Sequence, residues 1–227
     1  MVKIISDSTC DLTPDLLSKY DIDILPLHIL LGEKEYKDGI NITPDQIYSW
    51  SDANKTTPKT SAPALSETIE LFRPYVEEGR NIVCFSISNS MSSSGNVMQL
   101  AAEELNAQDL ITVIDSANLS TGIGLLVIEA AILAQNNKTA AEISVAVENL
   151  KPYVRASFVV DTLTYLHRDG RRSFKAPPPD HRRARCHETD KKIPGQNGFR
   201  YPFLCERYGA CFKACASGSR VYHTFRL

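Results

Sequence analysis

No stretch of apolar residues in this sequence is long enough to cross a bilayer. The longest, residues 123–133, contains Glu129, whereas a membrane-spanning helix needs about 20 predominantly apolar residues. The chain also opens without the basic and then apolar pattern of a signal peptide. We therefore expect a cytoplasmic protein with no stable membrane insertion, in which Cys10 and Cys84 are reduced and at least partly buried.

The sequence motifs of several enzyme classes are also missing. There is no Gly-x-Ser-x-Gly nucleophile elbow, and His28 and His167 are more typical of surface or packing positions than of a catalytic base. No Gly-x-x-x-x-Gly-Lys-Ser/Thr loop is present, and Gly122-Ile123-Gly124 is only a fragment of a dinucleotide-binding fingerprint. Hydrolysis and nucleotide binding are therefore disfavoured, and neither a cofactor nor a metal is expected.

Short apolar runs alternate with helix-like segments over residues 1–173. Strands are predicted at 2–6, 81–85, 110–114 and 156–160. Helices are predicted to begin at hydroxyl-capped starts, namely Thr13, Thr43 and Thr139. This alternation predicts a doubly wound parallel sheet in a three-layer α/β/α arrangement.

Individual segments give more specific predictions. Residues 110–114 are apolar at nearly every position, which indicates a strand buried on both faces. Residues 22–31 are predicted to form one strand that Pro26 bends or places at an edge, followed by a small hairpin over 33–38. Apolar residues at helical spacing after Pro63 predict a helix that ends before Gly79.

Hydroxyl-rich segments directly follow three of the predicted strands. They are Asp7-Ser8-Thr9, residues 86–94 and Asp115-Ser116, and a further pair, Thr60-Ser61, is predicted to open a helix. The loops that leave the carboxyl ends of parallel strands gather at one sheet edge, where the next helices present free N–H groups. Because almost no Lys or Arg accompanies these residues, we expect them to bind a carboxylate or another small anion rather than to perform chemistry.

Each segment also has a purely structural interpretation. The serines of 86–94 can cap the helix that starts near Gly95, as serines commonly do. Asp7 and Asp115 can hold loop amides rather than act as a metal-binding or acid–base pair. The expected placement of all the segments at one edge favours the binding interpretation.

The last 53 residues have a different composition from the rest of the chain. Residues 175–227 contain 11 Lys and Arg against 4 Asp and Glu, whereas residues 1–174 contain 14 against 23. The same segment holds four of the six cysteines but only four Leu, Ile or Val. Its Cys-x5-Cys-x3-Cys spacing lacks the paired Cys-x2-Cys of common zinc sites. We expect little packed core there, because so few aliphatic residues cannot offset the entropy of ordering the segment.

The motifs of residues 1–173 resemble those of the DegV family, which are bacterial fatty-acid-binding proteins. The resemblance begins at Asp7-Ser8-Thr9-Cys10-Asp11-Leu12 and ends within residues 162–171. Between these motifs it includes Leu25-Pro26-Leu27, Tyr36-Lys37-Asp38-Gly39, Thr60-Ser61-Ala62-Pro63, residues 87–94 and residues 113–116.

This resemblance implies that an acyl chain lies in an apolar tunnel between two α/β domains while hydroxyls hold its carboxylate. By motif, the ligand-binding hydroxyls are those of Thr60, Ser61, Ser92 and Ser93. The residues implied at the supporting edge of the site are Asp7, Ser8, Thr9, Ser88, Asp115, Ser116 and Arg171. The resemblance also implies a non-catalytic carrier that presents the fatty acid to a partner kinase for acyl phosphate formation, with no nucleic acid partner.

The sequence departs from the family pattern in two places. Ser93 stands where the family usually has glycine. Its side chain either adds a hydrogen-bond donor to the site or crowds the ligand carboxylate. Arg172 replaces an isoleucine, and from about Phe174 the family pattern is lost. Our hypothesis is that a frameshift, in the gene or in its sequencing, produced the residues from about 172 onward.

The predicted organisation follows from this break. Residues 1–153 form a first α/β domain, residues 154–173 start a second, and residues 174–227 are an atypical basic tail. With the second domain truncated or replaced, we expect the tunnel wall to be exposed, including apolar residues of 123–133 and 158–160.

The sequence is also compatible with two other functions. One is a small α/β acyl hydrolase or transferase that uses Ser92 or Ser93 as its nucleophile. The other is a regulatory interaction protein whose basic tail binds an acidic partner or nucleic acid in a salt-dependent manner.

Overall fold

The computed structural model describes residues 1–154, together with Ala156, Tyr165 and Arg168. The strands are β1 (Lys3–Asp7), β2 (Ile22–Leu25), β3 (His28–Leu31), β4 (Lys34–Lys37), β5 (Lys59–Ser61), β6 (Ile82–Ser86) and β7 (Ile111–Asp115). The helices are α1 (Pro14–Tyr20), α2 (Pro44–Asn54), α3 (Leu65–Glu77), α4 (Ser94–Glu104), α5 (Thr121–Gln135) and α6 (Ala140–Leu150), with 3₁₀ turns at Ser8–Cys10 and Lys151–Tyr153.

Four of the strands form a parallel sheet in the order β2-β1-β6-β7. β1 lies between β2 and β6, so that Ile4 pairs with Ile22 on one side and with Val83 on the other. Successive side chains on a strand point to opposite faces. Accordingly Ile4 packs with α1, α5 and α6, whereas Ile5 packs with α3 and α4. The predicted three-layer α/β/α arrangement is confirmed.

The helix starts that depend on local sequence are confirmed. The Thr13 side chain accepts a hydrogen bond from the N–H of Leu16, and Thr43 and Thr139 each form a capping box with the residue three positions later. At the second box, hydrogen bonds from Lys138 and from the Thr139 backbone and hydroxyl lower the pKa of Glu142 to about 2.

The prediction of one bent strand over residues 22–31 is wrong. β2 is an edge strand of the parallel sheet, and after Pro26 the chain enters a second, antiparallel sheet of order β4-β3-β5. Ile29 and Leu31 on one face of this small sheet pack with Ile42, Ile47 and Trp50. The predicted hairpin over 33–38 is correct only in part: the hairpin is formed by β3 and β4, so residues 33–38 supply its second strand and not both strands.

One further prediction about strands needs correction. Thr60-Ser61 does not open a helix: it ends β5, and α3 begins only at Leu65. β7 is covered on both faces, as predicted: Ile111 is buried on the face that α4 covers and Ile114 on the face that α6 covers. Thr112 and Val113 are only half-buried, because β7 is the last strand of the described parallel sheet.

The apolar residues of α5 do not form an exposed wall. α5 contacts α1, α6 and the parallel sheet, so Ile123, Leu126 and Val127 are fully buried. A helix that is apolar all round is stable only when it is covered on most sides. No helix among the described residues is both long and apolar enough to cross a membrane.

Most of the predicted second domain, including residues 158–160 and Arg171, and all of the tail lie outside the described residues. Tyr165 and Arg168 are described, and both contact α2. The Tyr165 hydroxyl donates to the Asp52 carboxylate at 3.1 Å, and the Arg168 guanidinium donates to it at 2.9 Å.

Candidate anion-binding site at the carboxyl edge of the sheet

The carboxylate of Asp7 joins the end of β1 to the loop after β6. It accepts hydrogen bonds from the N–H of Ile87 at 2.7 Å and from the N–H of Thr9 at 3.2 Å. The Thr9 hydroxyl donates to the same carboxylate. Asp7 is fully buried, and burial raises the pKa of its carboxyl group against the opposing effect of these hydrogen bonds. Asp7 is therefore a positioning residue for the loop, as the structural interpretation predicts.

Asp115 plays a similar part at the end of β7. Its Oδ1 accepts from the N–H of Ala117 at 2.9 Å and from the N–H of Asn89 at 3.2 Å. The N–H of Ser116 donates to the Ser86 carbonyl, and the N–H of Ser88 donates to the Asn118 carbonyl. The loops after β1, β6 and β7 are thus hydrogen-bonded to one another, which confirms that their hydroxyl-rich segments meet at one edge.

The serine loop, residues 86–94, ends at the start of α4. The hydroxyls of Ser92 and Ser94 lie 2.8 Å apart, and the Ser92 Oγ accepts from the N–H of Ser94 at 3.2 Å. Ser93 is the N-terminal cap residue but makes no side-chain capping bond, and it is exposed. The expectation that these serines cap α4 in the ordinary way is therefore not met at Ser93.

The side chains of Asn89 and Ser86 pack closely against Gly95 in the first turn of α4, which constrains the shape of this loop. A Cβ at Gly95 would lie 2.5 Å from Asn89 Oδ1 and 2.8 Å from Ser86 Oγ, both far inside van der Waals contact. The Ser86 hydroxyl is buried and has no hydrogen-bond partner among the described residues. Buried polar groups are normally paired, so the hydroxyls of Ser86 and of Ser6, which is likewise unpaired, are exceptions among the described residues.

Ser8 connects the parallel sheet to the small sheet. Its hydroxyl donates to Asp38 at 2.8 Å and accepts from the N–H of Leu27 at 3.1 Å. These bonds hold the segment that connects β2 to β3 against the turn that follows β4. The small sheet, which carries Thr60 and Ser61, is in this way attached to the same edge as Asp7.

Thr60 and Ser61 point to opposite faces of the small sheet. Thr60 pairs with Ile29 and Ser61 pairs with His28 in the antiparallel β3–β5 ladder, and directly opposed residues share a face. Both residues are exposed. The structure therefore separates the two hydroxyls that the resemblance assigns to one carboxylate.

Several residues that shape this edge were not identified from the sequence. Asn89 and Asn118 hold the loops by hydrogen bonds, the hydroxyl of Ser120 donates to Asp11 at 2.5 Å, and His28 contacts two carboxylates. Most of these contacts join residues far apart in the chain, which local patterns do not show. Asp11, Asp38 and Asn89 did have a signal, because each lies within one of the motifs of the resemblance.

The arrangement presents hydroxyls and amides rather than reactive groups. Among the described residues, no group of three His, Cys, Asp or Glu side chains could hold a metal ion. Cys10 and Cys84 are free buried thiols, and burial raises the pKa of Cys10 to about 11. The fold and the site thus define an α/β protein whose sheet edge presents Ser and Thr hydroxyls and backbone amides beside the carboxylates of Asp7 and Asp115.

The chain belongs to the DegV family. The family model described as "Uncharacterised protein, DegV family" matches residues 1–175. A DegV domain-containing protein from Clostridium perfringens is 34% identical over 172 residues, which cover 76% of this chain and 61% of that protein.

Solved structures show the same relationship. A stearic-acid-binding protein from Eubacterium ventriosum matches with a TM-score of 0.69 and 32% identity, covering 78% of this chain and 62% of that one. The fatty acid kinase B3 protein from Streptococcus pneumoniae, solved with linoleic acid, matches with a TM-score of 0.63 and 25% identity, covering 76% and 62%. This chain matches about three fifths of the length of these relatives.

Proposed function

We propose that this chain binds the carboxylate of a long-chain fatty acid at the carboxyl edge of its parallel sheet, without catalysis of its own. The observation that carries the proposal is the serine loop, which Asp7 and Asp115 hold at the start of α4. Ser93 is exposed at that point. Two relatives of the same fold bind stearic acid and linoleic acid, which supports the choice of anion.

The ligand-binding residues we assign are Thr60, Ser61, Ser92 and Ser93. Ser92 and Ser93 lie at the N-terminus of α4, where free N–H groups and the helix dipole favour a negative charge. Ser61 lies on the small sheet that Ser8 attaches to this edge. Because Thr60 points to the other face, we assign it the weaker contribution.

Binding of stearate by the full chain tests this function. Isothermal titration with stearate is compared with methyl stearate, which keeps the acyl chain but has no charge. We expect stearate to bind and the ester to bind at least tenfold more weakly, since a hydrogen bond to a charged group is worth about 1.5–3 kcal/mol. Equal affinities would show that the acyl chain alone is recognised, and no binding of either would refute the function.

The finer part of the proposal is that the bound fatty acid is presented to a kinase. In that step a carboxylate oxygen attacks the γ-phosphorus of ATP, the bond to the β–γ bridging oxygen breaks, and ADP leaves. This part rests on the likeness to the fatty acid kinase B3 protein. Its test is formation of acyl phosphate from stearate by a fatty acid kinase catalytic subunit, with and without this chain.

Within residues 1–154, the structure places no histidine as the base that the serine hydrolase alternative needs. Both ring nitrogens of His28 contact carboxylates, at 2.6 Å from Glu35 and 2.8 Å from Glu67. His28 is therefore engaged elsewhere and is not placed as a base for Ser92 or Ser93.

A further inference from the structure

His28 is a buried histidine held between two carboxylates beside the small sheet. Its Nδ1 lies 2.6 Å from an oxygen of Glu35 on β4, and its Nε2 lies 2.8 Å from an oxygen of Glu67 in the first turn of α3. An ionised carboxylate can only accept hydrogen bonds, so both ring nitrogens must donate. The geometry therefore describes a protonated imidazolium.

This imidazolium lies next to Ser61. His28 is directly opposite Ser61 in the β3–β5 ladder and directly opposite Lys37 in the β3–β4 ladder, so the three side chains form one row on one face. Glu67 follows Ser61 by six residues, and the intervening segment leads from β5 into α3. The bond between His28 and Glu67 therefore closes a short loop that begins at Ser61.

The charges on this face balance only when His28 is protonated. Glu67 also accepts a salt bridge from Lys37 at 2.8 Å. Lys59 lies opposite Leu30 on the same face, and Glu70 acts on Lys37 from the next turn of α3. In the cluster of His28, Lys37, Glu35 and Glu67 two positive charges face two negative ones, and loss of the imidazolium proton leaves a negative excess beside Ser61.

We propose that protonated His28 is a positioning residue for Ser61 and that its deprotonation weakens anion binding at alkaline pH. The inference rests on the proposed function and deepens it, because it adds pH dependence to the same site. A neutral imidazole has only one N–H and can donate to only one of the two carboxylates. Loss of the proton therefore weakens the bonds that join β3, β4 and α3 around Ser61, and it places net negative charge beside the ligand carboxylate. The pKa of His28 is raised above its ordinary value of 6.5, chiefly by the hydrogen bond with Glu67, so the transition lies on the alkaline side of that value.

The test compares stearate affinity at about pH 6.5 and about pH 9 in four proteins. These are the natural chain, His28→Gln, Glu67→Gln and Glu77→Gln, the last being a matched control that removes an exposed carboxylate from the far end of α3. We expect the natural chain and the control to lose about three- to tenfold in affinity between the two pH values, as one nearby charge changes. His28→Gln should show the weaker affinity at both. The titration of stearate itself affects all four proteins equally, so comparing their affinities removes its contribution.

A second measurement does not depend on a ligand. The NMR shift of the His28 ring proton gives its titration, and hydrogen exchange of the amides of residues 60–64 should accelerate through the same pH range. Glu67→Gln should lower the midpoint of the ring titration, whereas Glu77→Gln should leave it in place.

The outcomes separate the two proposals. Stearate binding that is the same at both pH values and unaffected by His28→Gln overturns the role of His28 while the proposed function stands. If the rate of amide hydrogen exchange in residues 60–64 does not change over the pH range in which His28 titrates, the positioning role is likewise overturned. Absence of stearate binding at every pH refutes the proposed function itself and this inference with it.

Discussion

The carboxylate of Asp7 accepts a hydrogen bond from the backbone N–H of Ile87 at 2.7 Å. The two residues are 80 positions apart in the chain, yet this one bond joins the end of β1 to the beginning of the serine loop. Asp7 also binds the backbone and hydroxyl of Thr9. One buried carboxylate therefore sets the relative position of two of the loops that form the candidate site.

Replacement of Asp7 should destabilise the protein. Asp7→Ala leaves buried N–H groups without their acceptor, and the expected loss in the free energy of unfolding is about 1–3 kcal/mol. Urea denaturation measures it. Asp15→Ala, which removes an exposed aspartate from the first turn of α1, is the control and should cost well under half of that. Equal midpoints for the two variants would show that Asp7 does not hold the loop.

Removal of a ligand hydroxyl should weaken fatty acid binding. Ser61→Ala and Ser92→Ala are each expected to reduce stearate affinity by about 1–3 kcal/mol, the cost of losing a hydrogen bond to a charged group. Ser66→Ala, at an exposed position in α3, is the control for titration calorimetry. Unchanged affinity in both site variants would rule out the assigned residues.

Gly95→Ala should disturb the serine loop. The added methyl group would lie 2.5 Å from Asn89 Oδ1 and 2.8 Å from Ser86 Oγ, so both side chains must move. Because Asn89 also binds Asp115 through its N–H, we expect at least tenfold weaker stearate binding. Asn96→Ala, exposed at the next position, should bind normally. Full affinity in Gly95→Ala would mean that the loop shape does not matter for binding.

Two substitutions at Ser120 should separate backbone strain from a hydrogen bond. Ser120 has φ 52° and ψ −130°, a conformation that favours glycine, and its hydroxyl donates to Asp11 at 2.5 Å. Both Ser120→Ala and Ser120→Gly lose the bond, but only the glycine variant relieves the backbone. We expect Ser120→Gly to be more stable than Ser120→Ala by about 1 kcal/mol in urea denaturation. The reverse order would show that the left-handed backbone carries no cost.

The frameshift hypothesis makes a prediction about the coding DNA. The family match ends at residue 175, and the matched part covers only 61% of the Clostridium perfringens relative. One of the other two reading frames after the codon for Arg172 should encode apolar segments that continue the DegV pattern. Reading those frames is the measurement, and if neither gives such segments the hypothesis is wrong.

The sequence alone determined the features that depend on neighbouring residues. The threonine caps of α1, α2 and α6 follow from hydrogen bonds and steric effects within a few positions. The strand and helix alternation likewise predicted the three layers, since apolar faces of sheets and helices must cover each other. The resemblance to the DegV family likewise rests on short sequence motifs, so it does not depend on knowledge of the fold.

Only the tertiary structure decided which distant residues meet. Pro26 marked an interruption, but local sequence cannot show that β3 leaves the parallel sheet to pair with β4 and β5. Because β5 pairs with β3, Thr60-Ser61 lies in a strand and not at the predicted start of a helix, and Ser61 lies opposite His28. His28 had no distinguishing motif because its partners, Glu35 and Glu67, lie on other elements. Such contacts gain their energy from burial and from charges brought together by folding, which sequence spacing does not encode.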